Sequence, residues 1–418
     1  MKVLVIGRGA REHAIVWKLS QSKHINKIYC SPGNAGIAEF AECINVSPDN
    51  FGALVDFVKY EWIDLTIVCS EEFLARDLVN TFEREGCRIL GSHRTATELM
   101  VSRVFAKNLM RLHGIPTAEY RVFTSYLHAQ DHIRLKGAPI VIKTDGHAEG
   151  DGVFVASTTE KATDALKLIM KDRIFGDAGR QVIIEENLKG QRVSFVALTD
   201  GRTVLPLTSL YIYRSDEIRA NAMGMGAYCP VPLIEKELET YIMDKIMGPL
   251  LRVFGSEGIK YKGFISADLI VNRNRAHVFE LNFCFGDLEA QTLLPRLKTD
   301  FTEMVLAVTG ERLSDIEIAW GQNASVCVVG SSKVYSERSP EGVTITGLEK
   351  IKTEKDTFAF HENTLFHNSD VVAAGERVIC ITATGEDLKD AKTKAYGAIG
   401  KINFDGMYYR KDIGNGVK

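Results

Sequence analysis

PIVIKTDGHAEGDGVFVA, residues 139–156, reads as a buried strand, a glycine-rich loop and a second strand. The apolar run ends on Lys143, and the glycines that follow let the chain turn back before Val153. A helical pattern runs from Thr159 to Met170, and QVIIEENL (181–188) supplies another strand. With a start near Tyr120, this is a small α+β unit. Beyond it, Arg192 to Leu198 alternates. GFISADLIV and AHVFELNF, within residues 260–285, are two further strands about the turn Asn272-Arg273-Asn274-Arg275. On the other side, Thr97 to His113 carries a helical stripe of Leu99, Met100, Val104, Phe105 and Leu109, stopped by Gly114 and Pro116.

Further out, KVLVI (2–6) is a short apolar run ended by Gly7 and Gly9, followed by a helical pattern through Ala14, Ile15, Trp17 and Leu19. Ile28-Tyr29-Cys30 is a second strand, closed by the turn Ser31 to Gly36. LTIVC (65–69) and Ile89-Leu90 follow. Strands alternating with helices predict a doubly wound parallel sheet. From about residue 320 a third region begins, with strands near Ala324–Val329 and Arg377–Thr382 and a helix from Asp387 to Ile399. The expected division is 1–100, an N-terminal α/β domain; 101–320, a central domain with a lid over about 120–190; and 321–418, a C-terminal α+β domain. A chain of 418 residues exceeds what one hydrophobic core serves.

A net charge of −3 offers no basic field for nucleic acid. No run of about eighteen apolar residues predicts a membrane span. MKVLVIGRGA is a strand and turn rather than a signal peptide. The eight cysteines have no CxxC spacing and lie mostly in apolar runs. That predicts reduced, buried thiols in a cytoplasmic protein, and no zinc site.

Four stretches could carry chemistry. GRGAREHA (7–14) places a Gly-x-Gly between strand and helix, where free backbone N–H groups can hold a phosphate. The glycines serve close packing equally well, and no third glycine stands at dinucleotide spacing. PGNAG (32–36) is either a ligand loop at a strand's carboxyl end or a plain turn. Lys143 with DGHAEGDGV (145–153) is either a phosphate clamp or a glycine-rich hairpin with a solvated lysine. IIEENL (183–188) joins two sheets and could hold adenine through its backbone, though adjacent glutamates usually face solvent. Glu280 and Asn282 are two apart on one strand and share a face, with Asp268 on the preceding strand. Three oxygen ligands inside apolar runs suit Mg²⁺ holding nucleotide phosphates, because acidic residues rarely interrupt buried strands without a partner.

Taken in order, VIGRGAREHA, PGNAG, HGIPTAEY, VIKTDG, FGDAG, VLPL, MGAYCPVP, YKGF, ELNFCFGDLEAQ, RVICITATG and YYRKDIG resemble the glycinamide ribonucleotide synthetase (phosphoribosylamine–glycine ligase) family of ATP-grasp enzymes in purine biosynthesis. The resemblance covers nearly the whole chain. It implies a ligase that uses ATP with Mg²⁺ or Mn²⁺ to activate glycine's carboxylate as an acyl phosphate. The amine of 5-phosphoribosylamine then attacks, and ADP and phosphate leave. It implies Lys143 and Asp287 as catalytic residues. Arg103, Lys143, Glu185, Glu186 and Leu188 would lie at ATP, and Asp268, Glu280 and Asn282 at the metal. Gly9, Arg11, Asn34, Gly36, Glu71, Asn221, Gly224 and Asp287 would lie at the substrates. Its partners would be small molecules, and it would be a monomer or homodimer.

The departures fall on charged positions. The family's Gly-Lys-Gly loop is Gly150-Asp151-Gly152, which sets a carboxylate where a cation would meet phosphate. The glutamate expected at the ATP ribose is Arg192, a loss of about 1.5–3 kcal/mol if that bond alone is removed. The arginine of Glu-x-Asn-x-Arg is Cys284; one preorganised donor of this kind is worth about 3–4 kcal/mol. Asp-His-Lys has become Tyr211-Ile212-Tyr213, and the following Gly-Pro-Asn-Thr-Gly-Gly loop is Arg219 to Gly224. Arg103 keeps the charge of a family lysine. Asp268 stands where the family has glycine, which suggests a reinforced metal site beside a weakened phosphate clamp. Two alternatives stay open: a ligase for another acid or amine, and a non-catalytic relative that binds a nucleotide or phosphorylated sugar.

Overall fold

The apolar runs of the N-terminal third form parallel strands, as shown by the computed structural model, which describes residues 1–96, 102–146, 152–214, 224–332 and 342–415. Strands β1 (Lys2–Gly7), β2 (Lys27–Pro32), β3 (Glu42–Cys43), β4 (Leu65–Val68) and β5 (Ile89–Leu90) lie in the order β3-β2-β1-β4-β5. The chain order reverses between β1 and β4, the place where doubly wound sheets open a crevice for ligands. Helix α1 (Ala10–Leu19) starts beside it. Its buried Ala10, Ala14, Ile15 and Leu19 recur at helical spacing and pack against Val3, Val5 and Ile67.

Of the expected Thr97–His113 helix, the described part is α2 (Arg103–Leu112), capped by Ser102, whose hydroxyl accepts from the Phe105 N–H. Residues 97–101 lie outside the described residues. The lid follows. Its strands β6 (Tyr120–Phe123), β7 (Ile140–Thr144), β8 (Val153–Ala156) and β9 (Val182–Glu186) run antiparallel in the order β6-β9-β7-β8. Ile140 and Ile142 on one face of β7 pack under Ala162, Leu166 and Ile169 of the 159–170 helix. Each buried isoleucine or leucine side chain there contributes about 1.5–3 kcal/mol. Because strand side chains alternate, Lys143 is left on the other face.

The large sheet is built from β10 (Gln191–Thr199), β11 (Val204–Arg214), β12 (Gly224–Cys229), β13 (Gly263–Asn272), β14 (Arg275–Asn282) and β15 (Ala324–Ser332). Past these come β16 (Val343–Thr344), β17 (Thr357–His361), β18 (Thr364–His367), β19 (Asp370–Ala373), β20 (Arg377–Gly385) and β21 (Met407–Tyr408). The sheet order is β14-β13-β10-β11-β12-β15-β20-β17, with β21 against β15; β16-β19-β18 is a separate small sheet. The C-terminal region therefore extends the central sheet, since Gly226–Cys229 pair with Ser325–Val328. Two more helices matter. Helix α3 (Asp287–Leu293) leaves the end of β14, and α4 (Leu388–Ile399) covers β15 and β20. Asp387 caps α4 by accepting from the Asp390 N–H at 2.8 Å. A side chain at Gly385 would strike the Ala391 backbone, so the helix packs flush on the strand. No described helix is long and apolar enough to cross a membrane.

Candidate active site

Asp268 on β13 is paired with Ser194 of β10 on one side and with Glu280 of β14 on the other. Directly opposed residues share a sheet face, and so does Arg192, two residues from Ser194. Arg192 Nη2 donates to Asp268 Oδ2 at 2.5 Å and to Glu280 Oε2 at 3.3 Å. Arg214, at the end of β11, donates to the same Asp268 oxygen at 2.5 Å. From α2, Arg103 Nε donates to Glu280 Oε1 at 2.8 Å, and its Nη1 reaches the Thr144 carbonyl at 3.2 Å. Asp268 and Arg192, two of the departures, thus form one ion pair.

Lys143 crosses from the lid to this face. Its ammonium donates to the Phe279 carbonyl at 2.7 Å, lies 3.6 Å from the centre of the Phe279 ring and pairs with Glu185 at 3.2 Å. The Arg192 guanidinium lies 4.3 Å from the same ring. Glu185 is also met by Lys107 at 3.1 Å. The lysine is 1% exposed, and this burial brings its ammonium down to about 8 even against the upward pull of Glu185. Burial pushes the Glu280 carboxyl up, but the charges of Arg103, Lys143 and Arg192 outweigh it and bring the group down to about 2. Glu186 accepts from the Glu119 N–H at 3.1 Å, and Leu188 lies half-buried in the linker from β9 to β10.

The second cluster sits where the N-terminal sheet meets the C-terminal region. The Gly9 N–H, expected to be free for phosphate, donates to Glu12 Oε2 at 2.8 Å as part of the cap of α1. Arg11 pairs with Glu12 at 2.7 Å and donates to the Phe285 carbonyl at 3.3 Å. The Asn34 amide donates to the carbonyls of Arg8 and His361, and its oxygen accepts from the N–H groups of Gly36 and Ile37. PGNAG is thereby a brace between two regions of the molecule. Gly36 is needed for contact: a Cβ there would lie 2.3 Å from the His13 ring and 2.6 Å from that of His361. Burial lowers both imidazoles, His361 to about 4, and His13 Nδ1 accepts from the His361 N–H at 2.9 Å.

Asp287 opens α3 and accepts from Gln291 at 2.7 Å and from Arg377 at 2.5 Å. Arg377 also pairs with Glu362 at 3.1 Å. Burial pushes the Glu362 carboxyl up to about 7, with Arg377 pulling against it and Asp287 adding to it. Cys284 is buried, and its thiol meets Glu71 Oε1 at 3.5 Å. Gly224 faces Leu288, with no room for a side chain.

Lys143, Arg103, Glu185, Asp268 and Glu280 are brought together, while Gly9, Arg11, Asn34, Gly36, Glu71 and Asp287 line the second cluster. Asn282 lies on β14, opposite Ser266. Asn221 and Asp151 lie outside the described residues. Sequence reasoning missed Lys107, Arg214, Glu362 and Arg377. Arg377 begins the quoted RVICITATG, and a cation opening a largely apolar strand was the available signal. Glu362 follows a buried strand end and Lys107 occupies an apolar helix stripe, so each offered the same cue.

The architecture agrees with solved ATP-grasp proteins. It matches a phosphoribosylamine–glycine ligase of Thermotoga maritima at a TM-score of 0.84 and 24% identity, covering 99% of this chain and 100% of that one. It also matches the biotin carboxylase domain of a 2-oxoglutarate carboxylase of Hydrogenobacter thermophilus, solved with MgADP, at a TM-score of 0.72 and 16% identity over 98% of this chain and 94% of that one. With the cationic cleft between lid and sheet, the class is an ATP-grasp enzyme, an ATP-dependent carboxylate–amine ligase. Residues 1–99, 101–290 and 325–416 match the N, ATP-grasp (A) and C domains of phosphoribosylglycinamide synthetase. Phosphoribosylamine–glycine ligases of Caldanaerobacter subterraneus subsp. tengcongensis and Escherichia coli O6:H1 are 41% and 39% identical, over 100% and 99% of the chain and 100% and 98% of their own lengths. The chain belongs to the phosphoribosylglycinamide synthetase family.

Proposed function

We propose that the chain joins glycine to 5-phosphoribosylamine, forming glycinamide ribonucleotide and converting ATP to ADP and phosphate. The observation that carries this reading is the run Glu280–Asp287. Glu280 lies among the cations of the cleft, and Cys284 and Asp287, a few residues on, meet Glu71 and Arg377 in the second cluster. One stretch thus touches a nucleotide end and an acceptor end, as consecutive phosphoryl and acyl transfer needs.

A glycine carboxylate oxygen attacks the γ-phosphorus, and the bond to the β–γ bridging oxygen breaks to release ADP. The amine nitrogen then attacks the acyl phosphate carbonyl. Phosphate departs with the bonding pair and the nitrogen gives up a proton. Lys143 and Arg103 supply positive charge toward the transferred group. The β9–β10 linker, with Glu185, Glu186 and Leu188, receives adenine. Gly9, Arg11, Asn34, Gly36, Glu71 and Gly224 frame the phosphoribosylamine, whose amine Asp287 orients. The divalent ion expected at Asp268, Glu280 and Asn282, Mg²⁺ or Mn²⁺, does not fit these side chains as they stand. Both Glu280 oxygens and Asp268 Oδ2 are already held by guanidinium groups. No step above runs through it.

The domain division at about 100 and 320 belongs to the same proposal, as does a cytoplasmic monomer or homodimer with its eight cysteines unpaired. The test is ADP release and glycinamide ribonucleotide formation by the full chain. Both are expected only when glycine and phosphoribosylamine are supplied together. A second reading, a ligase for another acid or amine, is favoured by the neutral Cys284 thiol against Glu71. Turnover with another pair but not with this one would establish it.

A further inference from the structure

A cavity of about 230 Å³ lies between helix α1 of the N-terminal region and β17 of the C-terminal region. Its aromatic walls are Trp17, Phe40, Phe358 and Phe360, with the Trp17 and Phe358 ring centres 4.7 Å apart. Two imidazoles also line it. His13 lies 5.9 Å from the Phe40 ring and 5.6 Å from that of Phe360, with His361 at 5.5 Å. None of the residues assigned above to the substrates lines this cavity.

The imidazoles are 3% and 4% exposed, and burial keeps both uncharged near neutral pH. His13 Nδ1 accepts from the His361 N–H, which leaves the His13 ring proton on Nε2. His361 Nδ1 is taken by the Thr364 hydroxyl at 3.1 Å. Among the described residues neither Nε2 has a hydrogen-bond partner, whereas buried polar groups are as a rule satisfied. The charged side chains of the lining, Glu39 and Lys352, pair with each other at 2.8 Å. The cavity thus offers aromatic walls, a neutral N–H donor and no net charge. A phosphate, carboxylate or ammonium group finds no unpaired opposite charge in this lining. An uncharged ring finds both a packing surface and a polar partner. The volume is below the roughly 300–1,000 Å³ of drug-sized sites, which suits one or two fused rings.

We propose that this cavity is a second ligand site, which takes an uncharged bicyclic nitrogen heteroaromatic ring. The ring packs against Trp17 and Phe40, and its bare nitrogen accepts from His13 Nε2. Benzimidazole has that shape and a bare nitrogen. Indole has the shape but only a donor.

The experiment titrates benzimidazole into the full chain by calorimetry at neutral pH. For a ligand this small, a dissociation constant of about 0.1–1 mM is expected. Trp17→Leu, with folding checked by circular dichroism, should weaken it about tenfold. Phe40 is 39% exposed, so Phe40→Ala removes a wall at little risk to the fold and should weaken benzimidazole about fivefold. Indole should bind the native chain about fivefold more weakly than benzimidazole. Absence of binding to the native chain overturns the proposal. So does unchanged affinity in either folded variant, which would put the ligand elsewhere, the nucleotide cleft included. Equal affinity for indole overturns the donor role of His13 and with it the ligand class. If Trp17→Leu does not fold, Phe40→Ala decides.

Discussion

The two clusters of the active site are held in different ways. The cleft under the lid is a network of long side chains from separate strands and one helix, joined by ion pairs around Asp268, Glu280 and Glu185. The cluster at the N- and C-terminal junction adds close backbone contacts to the ion pairs of Arg11 and Arg377, with Gly36 flush against two imidazoles and Asn34 filled by main-chain partners. In the first, the charges of Arg192 and Asp268 answer each other across neighbouring strands. The second tolerates little change of volume.

The sharpest way to break this contrast is Arg377→Met. It leaves Glu362 buried beside Asp287 without a cation. A loss of about 3–5 kcal/mol is expected in chemical denaturation, since removing one partner of a buried pair strands the other. A loss below about 1 kcal/mol would show that solvent reaches the pair.

Lys143→Met tests the cleft. Loss of a preorganised cation should lower turnover about 100- to 1,000-fold. Lys107 remains on Glu185, so the fold should survive, as circular dichroism would show. Unchanged turnover would remove Lys143 from the chemistry. Gly36→Ala asks the reverse question of the brace. A stability loss of about 1–3 kcal/mol is expected from overpacking, with ADP affinity unaltered.

The smallest effect is in pH dependence. His361, lowered to about 4 by burial, binds its proton more tightly when unfolded, so its contribution to stability falls as pH drops from about 6.5 to about 4. His13 acts in the same direction. Glu362, raised to about 7, does the opposite: its native form holds the proton, so acidification below pH 7 favours folding. Between about pH 4.5 and 6.5 the two neighbours oppose each other. Glu362→Gln should therefore make the unfolding free energy fall more steeply with acid than in the native chain, by about 1 kcal/mol per pH unit in denaturant titrations. Parallel curves would mean that Glu362 stays ionised.

Most strands and the doubly wound sheet were legible, because apolar runs bounded by glycine and proline follow local rules. The extension of the central sheet through β15, β20 and β17 was not, since strand partners far apart in sequence leave no periodic trace. The site was readable where a charged residue broke a buried pattern, as at Lys143, Asp268 and Glu280. What the sequence withheld was pairing. Asp268 looked like a metal ligand because Arg192, 76 residues earlier, gave no sign that it would lie alongside. Asp287 gave no hint of Arg377, 90 residues later.

The β12–β15 seam bears on how the protein is made. During synthesis, β12 has one side open until Ala324–Ser332 has emerged from the ribosome, long after the lid is complete. An unpartnered strand edge is a template for wrong partners. The nascent chain is most exposed to aggregation in that interval, and a holding chaperone would protect it most there.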